Sequence, residues 1–372
     1  MVIMALDHVR DILHVDSITQ SPTDLSTTTP ILFFTRWVTY LCAPIFVFLA
    51  GSSAYLSFKR ESNLKESKKF LLKRGFWLIL LEFTIVNLGL FFDAGFHTFI
   101  FEVIAAIGFG FVIISFCLSW STKAIGIAGI TILFLHNLVP IIPLTSVSVS
   151  KTILSSLFDV SAIQIFSNRV FIMGYPPIPW LGIMMVGFAS GRFFELTSRV
   201  RSSLFLKLGF AAILLFLIVR SVNLYGDPSP WAYQKTSVYT FLSFMNITKY
   251  PPSLSFTLIT LGIMFLMLSF SEREYRFTPF FAVYGKVPLF YFVIHFYIIH
   301  CLLIIILLFQ GIHWPDMTFI SGTFGRPKGS KTGITLLSVY IVWIILVLTL
   351  YFPCRNFGKY KLTHRSWWLK YI

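Results

Sequence analysis

Acidic side chains are scarce in this chain. Fifteen Asp and Glu stand against 30 Lys and Arg in 372 residues, and the four types together make up only 12%. A soluble fold of this length could not cover its surface with so little charge. Cysteine is sparse too: Cys42, Cys117, Cys301 and Cys354 are scattered, with no CxxC and no metal-ligand spacing. They read as small apolar residues and carry no information about redox compartment. Glycine-rich phosphate loops and the GxSxG turn of serine hydrolases are missing, which sets those chemistries aside. No basic region precedes the apolar run Met1 to Leu6, so no signal peptide is visible.

Apolar residues fill the space that charge leaves. The chain is 56% hydrophobic, its mean hydropathy is +0.80, and it holds 42 Phe, too many for one soluble core but suited to lipid-facing helices. The expected class is an all-α polytopic membrane protein. At about 20 apolar residues per crossing, full spans fall at roughly 33–57, 75–92, 99–119, 124–143, 176–195, 203–223, 252–271, 287–309 and 335–353. Residues 1–13 read as the outer half of one more. The expectation is thus a bundle of about nine full transmembrane helices plus a truncated N-terminal helix. It forms a single domain over 1–372 and ends in a basic, aromatic tail at 355–372. Pro44, Pro140, Gly182 and Gly187 fall inside spans, where neighbouring helices tolerate them. No internal repeat stands out.

The net charge of +15 has a topological reading. Alternate connections carry 20 of the 30 basic residues, beginning with Lys59, Arg60, Lys65, Lys68, Lys69, Lys73 and Arg74, and the other side of the chain's topology carries the remaining 10, span residues included. Positive charge collects on the cytoplasmic side. Segment 58–74 and the C-terminus are therefore expected in the cytoplasm, with residues 7–11 facing outward. The same pattern removes nucleic acid as a partner. Trp367 and Trp368 with Lys370 read as an interfacial anchor on the inner leaflet. Loops at 144–175, 224–251 and 310–334 would then face outward, with Tyr175, Trp231, Tyr233 and Trp314 available for stacking on sugar rings or for anchoring.

Polar residues inside apolar spans are costly and point to function. The sharpest group is Asp7-His8-Val9-Arg10-Asp11. Helical spacing makes Asp7 a neighbour of Arg10 and Asp11, and His8 a neighbour of Asp11. A carboxylate beside a histidine holds its tautomer and raises its basicity, as a general base requires; the alternative is a solvated ion pair at a helix end. Arg36, Glu82, Asn87, Glu102, His136, Asn137, Arg220, His295 and His300 are further intramembrane polar residues, most of them in the outer half or middle of their spans. They read either as the lining of a shared water-filled cavity or as structural pairs, Glu82 and Glu102 with Arg36 or Arg220. His295 and His300 are five apart, about 140° around a helix, which does not suit a metal pair. No metal is expected.

Five stretches carry a family resemblance: MALDHVRDIL at 4–13, FFTRWVTYLCAPIFVFLAGSSAYL at 33–56, YPPIPWLGIMMVGFASG at 175–191, KYPPSLSFTLITLG at 249–262 and YGKVPLFYFVIHFYIIH at 284–300. With the WWLKYI ending they span nearly the whole chain. The sequence resembles the bacterial branch of the heparan-alpha-glucosaminide N-acetyltransferase catalytic-domain family, within the wider transmembrane acyltransferases. The resemblance implies transfer of an acyl group, typically acetyl from cytoplasmic acetyl-coenzyme A, to an amine or hydroxyl of a sugar or small molecule on the far side. It also implies a histidine near the outer end of an early helix, matched here by His8, with His14 as the alternative.

The expected site follows. His8 takes the acceptor proton or carries the acetyl group, Asp11 orients it, and Asp7 and Arg10 support it. Arg36 or His295 stabilises the oxyanion. Lys68, Lys69, Lys73, Arg74 and Lys286 meet the coenzyme phosphates, or simply mark the cytoplasmic side. Partners are membrane lipid, acyl-coenzyme A and the acceptor, with a homodimer compatible, and the expected location is a bacterial inner membrane. Two other readings stand beside this one: a transporter or flippase for a lipid-linked sugar or anionic solute, and an inactive, N-terminally truncated member of the family.

Overall fold

The computed structural model describes all residues except 62, 142–153, 274, 320, 321, 328, 365 and 372. The expected outer loop at 144–175 is therefore described only from residue 154, the expected span at 124–143 lacks its last two residues, and Arg365 of the tail lies outside the described residues. The side chains of Pro140, Ile141 and Lys370 are also not described.

The fold is mostly helical. Among the described residues, seven helical segments are long and apolar enough to cross a membrane: Pro30–Arg60, Leu64–Phe91, Thr122–Val139, Ser198–Val222, Leu254–Ser271, Pro288–Phe309 and Leu336–Thr363. Two of the nine expected spans are shorter helices. The span expected at 99–119 is α6 (Val103–Cys117), because Thr98–Phe101 leaves the helix to form a strand. The span at 176–195 is α8 (Pro177–Ser190), which tightens into a 3₁₀ turn over Gly191–Glu195.

The first helix, α1 (Val2–Leu13), is only 12 residues long and buried over most of its surface. It packs against α13 (Pro288–Phe309) and α14 (Leu336–Thr363), and Trp343 on α14 donates its ring N–H to the Val2 carbonyl at 2.8 Å. Its C-terminal carbonyls would lack partners. The 310–334 loop supplies them: Ile334 N–H donates to Leu13 O at 2.8 Å, and the buried Arg326 donates to the carbonyls of His14 (2.9 Å) and Ile12. A guanidinium at a helix C-terminus also meets the negative end of its dipole.

The crossing at 30–60 is broken. α2 (Pro30–Thr39) stops at Tyr40, and α3 (Cys42–Arg60) resumes two residues later. Pro44 explains this, since its ring opposes the carbonyl four residues earlier, that of Tyr40. The break leaves Arg36, Thr39 and Tyr40 at the end of α2 beside α1. α4 (Leu64–Leu81) continues through a π-helical segment, Glu82–Val86, into α5 (Asn87–Phe91).

The all-α expectation missed a small sheet. β1 (Thr98–Phe101), β3 (Arg169–Met173) and β2 (Ser161–Phe166) lie in the order β1-β3-β2, with β1 parallel and β2 antiparallel to β3. Asn87 ties the sheet to the bundle, donating to Thr98 O at 2.9 Å and accepting from Ile100 N–H at 3.2 Å. Its intramembrane amide thus satisfies an edge of β1. The sheet delivers Glu102 from the end of β1 and Tyr175 from just beyond β3, where Tyr175 N–H bonds Phe101 O at 3.0 Å.

The remaining helices are α7 (Thr122–Leu135), α9 (Ser198–Val222), α10 (Ser237–Met245), α11 (Leu254–Ser271) and α12 (Thr278–Lys286). At the end of the bundle opposite the α1 C-terminus, Trp367 of the tail packs on Trp77 and Tyr371 on Phe70.

In a lipid-facing bundle, close helix packing rests on small residues. α3 and α8 show it most directly: a Cβ added at Gly51 would stand 2.1 Å from Met184 O, and one at Gly187 2.1 Å from Phe48 O. Gly51→Leu should push the two backbones apart and lower stability by about 1–3 kcal/mol or more. The measurement is thermal unfolding in detergent, and an unchanged midpoint would show that the crossing is not a stability determinant.

Candidate functional site

At the end of α1, two carboxylates and two guanidiniums gather. Asp7 accepts from Arg10 at 2.8 Å, from Arg36 Nη1 at 2.5 and 2.6 Å, and from the Thr39 hydroxyl at 2.8 Å. Asp11 takes Arg10 at 2.7 Å and lies 3.7 Å from Arg36. Asp7 and Arg10 are both buried. Two positive and two negative charges neutralise each other, which is the condition for holding them away from water.

His8 projects from the same helix to a different partner. Its Nδ1 lies 2.5 Å from Nε2 of His295 on α13. The other nitrogen of His295, Nδ1, lies 3.0 Å from the Tyr291 carbonyl. A carbonyl only accepts, so His295 Nδ1 carries the proton and, in the neutral ring, Nε2 is a lone pair. His8 must then donate through Nδ1–H, which leaves its Nε2 as a bare base. Phe296 stacks on the His8 ring at 4.3 Å and 22°, and Phe292 meets it edge-on at 6.1 Å. Position and tautomer are both fixed from α13.

His8 lines a cavity of about 300 Å³ together with Asp7, Asp11, Glu102, Tyr175 and Lys249. Lys249 sits in the loop between α10 and α11, with its ammonium 4.9 Å from the ring centre of Tyr250 and 5.7 Å from that of Tyr40. Burial disfavours its charge, but the neighbouring Tyr250 and Asp7 outweigh that cost, and its pKa lies above the ordinary lysine value. The loop is held firmly. Asp227 accepts from Thr248 N–H (3.0 Å) and the Thr248 and Ser253 hydroxyls (2.9 and 2.7 Å). Arg220 donates to four carbonyls, those of Ser229, Ser243, Phe244 and Asn246.

Several expectations need correction. Asp11 does not orient His8, because Arg10 holds its carboxylate; the orienting group is His295. His295 is fully buried with both nitrogens engaged, so it has no donor left for an oxyanion. Arg36 faces Asp7 and Asp11, and its charge is spent there. Neither glutamate pairs with Arg36 or Arg220. Glu82 accepts from Ala105 N–H at 2.9 Å and so caps α6, and Glu102 lines the cavity. His14 is the C-cap residue of α1 and is not among the residues that line the His8 cavity.

A second cavity, of about 830 Å³, opens between α3 and α4 at the opposite end, lined by Arg60, Arg74, Ser57, Ser67 and others. Arg74 is the one member of the five expected coenzyme contacts that lines it. Its guanidinium lies 5.1 Å from the centre of the Phe111 ring, and its buried Nε has no partner. Lys69, Lys73 and Lys286 are exposed and Lys68 half-buried. Among the described residues, no group of three His, Cys, Asp or Glu gathers as metal ligands would.

Sequence reasoning did not single out Lys249, Tyr250 or Thr39, and it named Tyr175 only as a stacking residue. One signal was present: Tyr-Pro-Pro occurs at 175–177 and again at 250–252. The two tyrosine hydroxyls meet at 3.3 Å on the cavity wall.

A family model described as "Heparan-alpha-glucosaminide N-acetyltransferase, catalytic" matches residues 1–226, more than half of the 372. No match was found among curated proteins.

Two outcomes are expected from this geometry. Nitrogen-15 NMR of the histidines should find His8 and His295 both protonated at Nδ1, and His295→Phe should release His8 into a tautomer mixture; a His8 resonance unchanged by that substitution would break the proposed linkage. Asp7→Ala leaves two buried guanidiniums with half their counter-charge and should cost about 3–5 kcal/mol, read as a lowered unfolding midpoint.

Proposed function

The chain belongs to the heparan-alpha-glucosaminide N-acetyltransferase catalytic family, and from that premise we propose that it is an integral-membrane acetyltransferase with acetyl-coenzyme A as donor. The acceptor is an amine or hydroxyl of a sugar or glycan that enters at the His8 end of the bundle. The positive-inside bias places the Arg74 end and the tail at 355–372 in the cytoplasm and the His8 end outside. We take residues 1–372 as one such domain in a bacterial inner membrane.

The observation that carries this reading is the bare Nε2 of His8, a residue whose ring is fixed by His295 and which lines a cavity. Such a nitrogen accepts the proton of the attacking amine or hydroxyl, or itself takes the acetyl group before passing it on. In the first case the imidazolium returns that proton to the departing thiolate; in the second the thiolate leaves as the acetyl–imidazole bond forms and recovers the proton that the acceptor releases when it attacks the acetyl group. The donor would lie along the bundle, its phosphates near Arg74 and Arg60. Arg74 and Leu90, which line the two cavities, are sixteen residues apart on the α4–α5 segment. That is roughly 24 Å at 1.5 Å per residue, of the order that an extended pantetheine arm covers. Phosphate contacts from Lys68, Lys69, Lys73 and Lys286 would be peripheral, since these side chains lie outside the cavity lining.

Cavities at both ends of one bundle would also suit a transporter of an anionic or lipid-linked solute. Purified protein should bind acetyl-coenzyme A and hydrolyse it slowly without acceptor. Arg74→Met should raise the KM for acetyl-coenzyme A by about tenfold, and His8→Ala should cut turnover by about 100- to 10,000-fold with donor binding retained. Full turnover in His8→Ala would remove His8 from the reaction, and absence of both coenzyme binding and hydrolysis in the wild type would favour transport.

A further inference from the structure

The acyl transfer proposed above develops negative charge on the thioester carbonyl oxygen, and some group must meet it. The cluster at the end of α1 holds three cations close together, and two are already committed. Arg10 is shared by Asp7 and Asp11, and Arg36 is bidentate on Asp7. The two histidines donate elsewhere: His8 to His295, and His295 to Tyr291. The hydroxyls of Tyr175 and Tyr250 meet at 3.3 Å, so one donates to the other, and the O–H that remains is a neutral donor.

Lys249 differs from all of these. Its side chain lines the His8 cavity, it is only 6% exposed, and among the described residues it forms no ion pair. Aromatic faces on two sides hold it in place. The backbone on either side of it is fixed by Asp227 through Thr248 and Ser253. Together with Asp11 and Tyr250 it also borders an adjoining cavity of about 390 Å³, lined by polar loop residues such as Ser21, Thr23, Ser229 and Asn246. It therefore stands where an entering acceptor would meet the donor. An ammonium has three N–H donors and no acceptor, so it can offer a hydrogen bond to an oxyanion without giving up one it already makes to a carboxylate.

We propose that Lys249 is a catalytic residue of this site, donating from its ammonium to the carbonyl oxygen of the thioester as the acceptor attacks. The acceptor lone pair bonds to the carbonyl carbon while His8 Nε2 takes the acceptor proton. The carbonyl π pair moves onto oxygen and is held by Lys249. The pair then returns, the carbon–sulfur bond breaks, and the thiolate recovers the proton from His8. Lys249 stays protonated throughout and no other reactant is needed. The adjoining cavity holds the acceptor while this happens.

The inference rests on the acetyltransferase reading, and the test separates the two. Lys249→Met keeps the length and the aromatic packing of the stem but removes the charge. Its kcat should fall by about 100-fold or more, the magnitude seen when one oxyanion donor is lost, with the acetyl-coenzyme A dissociation constant within threefold of wild type. Lys249→Arg should recover part of the rate. It should also extend activity to higher pH, because the guanidinium stays charged where the ammonium titrates. If wild type transfers acetyl, His8→Ala does not, and Lys249→Met retains kcat within threefold, this role is overturned and the wider reading stands. If wild type neither binds nor hydrolyses acetyl-coenzyme A, the wider reading falls first. Should Lys249→Met not fold, Lys249→Gln decides: a folded glutamine variant with kcat within threefold of wild type would overturn the role.

Discussion

Charge neutrality in an apolar bundle is the constraint on which the rest of this site depends. The buried carboxylate of Asp7 and the guanidiniums of Arg10 and Arg36 are tolerated there only as each other's partners, with the part-exposed Asp11 completing the cluster. Satisfying all four fixes α1 against α2, because Arg36 and Thr39 reach Asp7 only where Pro44 has broken the 30–60 crossing. A short, buried helix with no independent stability is thus given one register. With that register set, His8 faces α13. The charge cluster therefore acts as a positioning device, and in the reaction proposed here the chemistry is left to the imidazole beside it.

The histidine pair works by the same logic as a carboxylate–histidine arrangement, with a neutral partner. A carboxylate behind His8 would raise its proton affinity. A second imidazole, itself tied to a carbonyl, fixes the tautomer but adds no negative charge to an already crowded site. This suits a helix whose two carboxylates, Asp7 and Asp11, are occupied by arginines. The small sheet has a comparable supporting part. It is too small to form a core of its own, and its effect is to bring Glu102 and Tyr175 to the cavity from a segment that otherwise lies outside the helices.

Much of the architecture could be read from the chain, and the reasons for the failures are physical. Apolar runs mark helices because lipid penalises every exposed backbone group. The 99–119 and 176–195 runs misled because apolar strand and 3₁₀ residues look the same as helix by hydropathy. The cluster at 7–11 stood out because its charges violate the surrounding pattern. Its partner His295 was named as an oxyanion stabiliser rather than as the group that orients His8, and spacing holds no trace of a contact between residues 287 positions apart. Asp11 was misassigned for the opposite reason. Local spacing put it beside His8, and Arg10, on the same helix, outcompeted the histidine for it. Lys249 gave no signal because a lysine in a loop is ordinary until its burial, and the absence of an ion pair to it among the described residues, are known.

The clamp on α1 has a consequence for biogenesis. Every group that holds His8 in working order, apart from the arginine cluster, comes from the last quarter of the chain: His295, Phe296, Arg326, Ile334 and Trp343. At about 5–20 residues per second, the ribosome needs on the order of tens of seconds after making His8 to deliver His295. During that interval α1 is a nascent amphipathic segment with no partner on its histidine face. The matched family region ends at residue 226, so a chain interrupted there would contain the whole of that signature and still lack both His295 and Lys249. Assembly of the reactive centre is in this sense a checkpoint on complete synthesis: only a chain that has inserted its last two long helices can align the first one.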